Sequence, residues 1–301
     1  MLSYTSRRNL FGDLTNNKTS ANLTLADTLC NVSEKAIIRY FPWPFLITTD
    51  TQSTVASQQF YNLPFNFGRL VSVSVTIGST KYTPKKAPSL KFWNEINSST
   101  SVKSDIPEWY IILNGQLGFY PTPSSATSNA ITYTYVRRAK DLSVADYTTG
   151  GILTATSGST LVVGTTTVWT TKMADRWVKI TDSNTANAGD GEWYEISSVS
   201  SGTTLVLKRN YDGVDISSAN AAYTIGQMGA LPEEFQELPV YRALWIYFTS
   251  SQPNAAKAAL YKNLYQEGLM EMKSEYSDLN TDPSIEDGGI DTINPNLFVQ
   301  L

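Results

Sequence analysis

The sequence predicts an α+β protein: a helical bundle (an N-terminal helix plus a C-terminal helical hairpin) packed with an antiparallel β meander, into which a small all-β barrel or sandwich is inserted. Three observations predict it. Residues 231–276 carry aromatic and aliphatic side chains at three- and four-residue steps, the period of a helix face. Residues 58–137 alternate apolar and polar residues in short runs between turn formers, the period of half-buried strands. Residues 150–227 are rich in Ser, Thr and Gly, β-patterned throughout, and free of any helical period. The expected division is an arm over 1–20, a core over 21–149 plus 228–276, the β insertion over 150–227, and a flexible acidic tail over 277–301.

Composition narrows the function before any motif does. The 301 residues suffice for two domains with real cores. A net charge of −4 argues against a protein that holds nucleic acid by broad phosphate neutralisation. There is no histidine, which removes the usual general base at neutral pH and the commonest metal ligand. Histidine-dependent triads, zinc hydrolases and facial-triad iron sites go with it. Cys30 is the one cysteine, so no intrachain disulfide forms; on a predicted helix face it reads as a small core residue. No basic-plus-apolar leader and no apolar run of membrane-spanning length is visible, so the expectation is a chain made and kept in a cytosol, or assembled there into something larger.

In chain order, residues 1–20 are polar, with Arg7 beside Arg8, and read as an arm. Leu25, Leu29, Val32, Ala36 and Tyr40 then mark an amphipathic helix from about residue 21, which Thr19 or Ser20 can cap. Pro42 and Pro44 end it, and Phe41, Trp43 and Phe45 between them make a rigid apolar corner. Residues 69–77 alternate strongly, Asn114-Gly115 is the strongest hairpin signal in the chain, and 131–137 is a further strand. Residues 90–96 look like a short helix. These strands make a meander whose apolar face is expected against the helices. In the insertion, residues 157–162 (SGSTLV, from Ser157) echo residues 201–206 (SGTTLV), suggesting two similar hairpin corners with Trp169, Trp177, Val178, Ile180, Trp193, Tyr194 and Ile196 inside. In the C-terminal hairpin, Pro232 and Pro239 sit near helix starts, and Ser251 or Asn254 can cap the second helix.

The search for chemistry returns no catalytic, cofactor or metal set. Asp182, Asn184, Asn187, Asp190 and Glu192 crowd one loop, but an EF-hand needs glycine where Asn187 stands and glutamate where Trp193 stands; a looser calcium site and a plain polar loop both remain open. Glu233 and Glu234 suit the first turn of a helix by complementing its dipole. No glycine loop has the strand–turn–helix setting of a phosphate site.

The order of elements resembles the head-to-tail adaptor (connector) proteins of tailed bacteriophages, which form the ring under the portal. The resemblance rests on the helix ending in Arg39-Tyr40-Phe41-Pro42-Trp43-Pro44-Phe45, then Gln59-Phe60-Tyr61-Asn62-Leu63-Pro64 and Phe67-Gly68-Arg69-Leu70-Val71-Ser72-Val73. It continues through residues 109–123, Tyr133-Thr134-Tyr135-Val136-Arg137-Arg138, and Leu231-Pro232-Glu233-Glu234-Phe235 at the head of the hairpin. It implies a non-enzymatic structural virion protein without cofactors, assembled in the host cytoplasm into the neck between head and tail. Its partners would be the portal, tail tube or nozzle proteins, and itself as a ring of twelve copies, with genomic DNA passing through the channel without sequence-specific binding and no membrane contact. Two contacts are expected. The apolar end Leu297, Phe298, Val299 and Leu301 would dock on the portal or a neighbouring subunit, and the aromatic excess of the hairpin (Tyr241, Trp245, Tyr261, Tyr265) would be covered by neighbours. Two other classes stand beside it. One is a receptor- or carbohydrate-binding decoration protein, which needs Trp169, Trp177 and Trp193 facing outward. The other is a cell-wall hydrolase working by carboxylates alone.

Overall fold

The computed structural model describes residues 1–98, 106–148, 150–181 and 189–277. The first part of the chain holds α1 (Tyr4–Thr15), α2 (Ser20–Tyr40), β1 (Ile47–Gln52), β2 (Phe60–Asn62), β3 (Phe67–Ile77), β4 (Thr80–Tyr82), β5 (Lys85–Lys86) and α3 (Leu90–Ser98). Then come β6 (Trp109–Leu113), β7 (Gln116–Tyr120), β8 (Ile131–Arg137), β9 (Ile152–Ala155), β10 (Leu161–Thr165) and β11 (Trp177–Ile180). The last part holds β12 (Trp193–Ser201), β13 (Thr204–Leu207), β14 (Ile216–Ala221), β15 (Tyr223–Gly226), α4 (Leu238–Ile246) and α5 (Ala255–Ser277). Two compact units result, Met1–Tyr40 with Ala139–Met272, and Phe41–Arg138 with the residues from Lys273 onward.

The first unit corrects the expectation of an N-terminal arm. Residues 4–15 form a helix, opened by Ser3, whose hydroxyl accepts from the Ser6 N–H, and closed by Asn16 in the left-handed conformation at φ 52°. Phe11 is fully buried and meets the Tyr247 ring edge-on at 5.4 Å. Arg7, read as solvated, is 2% exposed and paired with Glu34 of α2. Alongside Phe11, the helical core takes Ala26 and Cys30 from α2, Val240, Ala243 and Leu244 from α4, and Tyr261 from α5. A π turn over Tyr247–Ser251 ends the first arm of the hairpin, and Asn254 caps α5 by accepting from the Lys257 N–H at 3.0 Å.

The β module belongs to this same unit. Its seven strands run β14-β9-β10-β13-β12-β11-β15, and only Ala222 separates β14 from β15, so the chain steps from one edge of the sheet to the other and the sheet must curl on itself. Inside lie Leu153, Val162, Trp169, Val178, Ile180, Tyr194, Ile196, Leu205 and Ile225. Trp169 donates its indole N–H to the Tyr223 hydroxyl at 3.0 Å, and that hydroxyl donates to the Gly150 carbonyl at 2.7 Å, so both buried polar tips are satisfied. The two echoed segments enter β10 and β13, which lie side by side with Val162 opposite Leu205. Trp177 and Trp193 depart from the expected interior. In the β11–β12 register they oppose Glu195 and Lys179, on the face away from Val178 and Tyr194, and are half-buried. Period-2 alternation forbids Trp177 and Val178 from sharing a face.

The module is tied to the helices by backbone bonds that sequence distance hides. The Tyr4 N–H donates to the Gln227 carbonyl at 2.8 Å, and Ser3 forms a bridge with Met228. The Gln227 amide oxygen accepts from the N–H groups of Ser143 and Val144 at 2.9 and 3.1 Å. These bonds place helices and module together, where the sequence grouped the helices with the meander.

The second unit holds two four-stranded sheets, β1-β8-β3-β4 and β2-β7-β6-β5. The expected single meander against helices is corrected here: Val73, Val75, Ile131, Tyr133 and Tyr135 of the first sheet share one core with Tyr61, Leu117 and Phe119 of the second. A smaller cluster seats Trp93, Phe92 and Ile96 of α3 on Ile111, Trp109 and Phe60. The Asn114-Gly115 turn joins β6 and β7, with both residues at positive φ.

Candidate assembly surfaces

The four aromatics expected at a subunit interface pair with one another inside the hairpin. Tyr241 stacks on Tyr261 with ring centres 6.3 Å apart, and Trp245 stacks on Tyr265 at 6.2 Å. These residues are four apart on each helix, one turn along each stripe, and both pairs advance in the same chain direction. Tyr261 and Tyr265 are 8% and 9% exposed, most of their area covered by their own chain. Tyr241 and Trp245 stay half-buried, the indole capped by the Lys262 ammonium at 5.5 Å. The Tyr241 hydroxyl donates to the Glu237 carboxylate, and burial followed by that bond pushes its pKa up to about 12.

The apolar area left on the helices lies elsewhere. Leu260 and Met270, 52% and 62% exposed, fall on an outward stripe of α5 with Ala256, Asn263 and Glu267. Val32 and Tyr40 of α2 are exposed as well. The outer face of the β module adds a second apolar area, where exposed Leu161 and Val163 of β10 lie beside Val206 of β13 and Thr154 of β9. Sequence reasoning passed over these residues because it followed the aromatic stripe; the signal available was aliphatic side chains out of phase with that stripe. Leu297, Phe298, Val299 and Leu301 lie outside the described residues.

The titratable groups that are placed have structural duties. Cys30 is buried, and burial pushes its thiol up to about 12, far from the ionised form a nucleophile needs. Glu34 accepts from Arg7 Nη1 at 2.5 Å and from the Ala230 N–H at 2.6 Å. Asp182, Asn184 and Asn187 lie outside the described residues. Asp190 caps its own turn, accepting from the Glu192 N–H at 3.0 Å and from the Tyr194 hydroxyl. Among the described residues no three His, Cys, Asp or Glu side chains gather as a metal site, and no helix is long and apolar enough to cross a membrane.

Among the described residues these surfaces offer exposed apolar contact area. No curated protein matches the chain. The family model for the SU10 adaptor protein matches residues 5–157, a span that begins inside α1, takes in α2 and both sheets of the second unit, and ends after β9. With half of its length so matched, the chain belongs to the SU10 adaptor protein family.

Proposed function

We propose that this chain is the head-to-tail adaptor of a tailed phage: a ring subunit that sits between portal and tail, extends the DNA channel and offers a platform to tail proteins. The observation that carries the reading is the family match over α1, α2 and the two-sheet body. Membership makes the protein a structural phage component rather than a member of an enzyme class, and implies contact with portal and tail proteins at the virion neck. Exposed aliphatic residues on α2, α5 and the β module supply area for neighbours, which a ring needs on two different faces of each subunit. Tyr241 and Trp245 remain candidates for that contact through their open edges.

Twelve copies would match a portal's symmetry. The C-terminal residues Leu297, Phe298, Val299 and Leu301 are proposed to dock on the portal or a neighbour. Binding of the full chain and of a variant ending at residue 293 to purified portal rings tests this. The full chain co-sediments with portal and the shortened one does not; equal binding by both removes the tail from the contact.

The carbohydrate-binding alternative required three outward tryptophans. Trp169 is 3% exposed and hydrogen-bonded inside the module, so that platform lacks one of its members. No observation favours the hydrolase.

A further inference from the structure

Helix α5 buries one face and leaves another open. Tyr261, Tyr265, Leu269 and Met272 are buried, while Ala256, Leu260, Asn263, Glu267 and Met270 are exposed. These five exposed residues follow one another at steps of four, three, four and three, the spacing of a seam that packs against another helix. At 3.6 residues per turn they fall within about 40° of one line along the helix. The seam reads the same from either end. Leu260 and Met270 stand five residues either side of Tyr265, and Asn263 and Glu267 stand two either side. Lys257 and Glu271 lie on one flank of the seam, near its opposite ends, and both are exposed. Neither Glu267 nor Glu271 belongs to an ion pair among the described residues.

We infer that α5 docks on α5 of a second copy of this chain, antiparallel, about a two-fold axis that passes beside Tyr265. This sense matches the seam to itself. It sets Leu260 against Met270 of the second copy, and it sets the Asn263 amide, a donor, against the Glu267 carboxylate, each contact being made twice. The polar layer at the centre fixes the register, because a shift would press Asn263 or Glu267 onto Leu260 or Met270. Charge agrees with the same alignment. The flank that carries Lys257 and Glu271 meets its own copy running the other way, so Lys257 comes opposite Glu271 of the second copy at both ends. A parallel pair would instead set Glu267 against Glu267 and Glu271 against Glu271. In the single chain the Lys257 ammonium stands 5.0 Å from the Phe248 ring centre, and its flexible stem lets it turn from there to a carboxylate. From 256 to 271 the seam is about 22 Å long, which suits a reversible contact rather than a permanent dimer. A two-fold contact closes on itself and cannot propagate round a ring, so this is a property of the free chain. The inference goes beyond the adaptor reading and does not rest on it.

Sedimentation equilibrium of the full chain without portal, over roughly 1–200 µM, tests the contact. A monomer–dimer equilibrium is expected. Leu260→Ser or Met270→Ser should weaken it by about tenfold or more. Both side chains are exposed in the single chain, so its melting temperature should hold. Lys257→Glu should weaken the dimer by about threefold, and adding Glu271→Lys should restore it. Cysteines then report the direction of the helices. Chains carrying Leu260→Cys mixed with chains carrying Met270→Cys are expected to form disulfide-linked dimers that neither forms alone. In the antiparallel pair each position lies about 15 Å along the axis from its own copy, too far for a bridge. Cys30 is buried and takes no part. A chain that is monomeric at the highest concentration overturns the inference, as does a dimer indifferent to Leu260→Ser and Met270→Ser, or one in which Leu260→Cys chains link to themselves. A closed ring formed without portal, with the mixed cysteines unlinked, overturns it too and leaves the adaptor reading standing. The predicted links in a chain that forms no ring on portal would instead remove the adaptor reading alone.

Discussion

Replacing Arg7 by Met isolates the most consequential contact that residues 1–20 make. Arg7 and Glu34 are 2% and 1% exposed, with 2.5 Å between Nη1 and Oε2. Met keeps the aliphatic bulk of the arginine stem but strands the Glu34 carboxylate in the core, where the Ala230 N–H at 2.6 Å is its remaining donor. Breaking a buried ion pair from one side costs about 3–5 kcal/mol, most of it the uncompensated charge. For a unit of this size that is a fall in Tm of roughly 6–20 °C. Adding Glu34→Gln removes the charge and retains an acceptor for Ala230, so the double variant should recover at least half of the loss. Urea unfolding followed by near-UV circular dichroism measures all three proteins. A cost below about 1 kcal/mol for the single variant would return residues 1–20 to the status of a solvated arm. A double variant no better than the single one would show that packing, not charge, is what Arg7 provides.

Other outcomes follow from the same geometry. Gly229→Ala should destabilise the same pair by about 1–3 kcal/mol, because its Cβ would stand 2.7 Å from Glu34 Oε1 and also against Arg7 Nη2; unfolding curves measure it. Trp169→Phe removes the donor to Tyr223 inside the β module and should cost about 1–3 kcal/mol, seen as earlier loss of that module's near-UV signal. Burial raises Cys30, Tyr133, Tyr194, Tyr223 and Tyr241 to about 12. These groups bind more protons folded than unfolded above their ordinary values of 9.0 and 10.0, so stability is complete below pH 9 and declines up to about pH 12. A stability that stays level across that range would contradict the burial of these groups. Cys30 should also ignore a thiol reagent at pH 8 until denaturant is added.

Much of the fold was legible because its signals are local. The helix before Phe41-Pro42 occupies Ser20–Tyr40, and the Asn114-Gly115 turn sits between β6 and β7 as expected. What escaped was fixed by distant partners. α1 looked solvated because Arg7 and Arg8 are adjacent; the carboxylate that buries Arg7 is Glu34, a whole helix later. β1, with Thr48 to Gln52 almost wholly polar, has no buried face to alternate and is held by its register with β8. The meander's division into two sheets turns on β2 joining β7 rather than β3, a choice that no local period encodes. For the candidate surfaces, the helical period marked Tyr241, Trp245, Tyr261 and Tyr265, which lie on α4 and α5. Which body covers a stripe is a question of tertiary structure, and here the two stripes of one hairpin cover each other.

The mass and outline of the assembly test the central claim most directly. Native mass spectrometry of the purified chain with portal rings, paired with negative-stain images, reports both at once. The adaptor account predicts a closed ring of about twelve times the 33.2 kDa chain, stacked coaxially on the portal with an open central hole. A chain that stays monomeric and leaves the portal bare would contradict it.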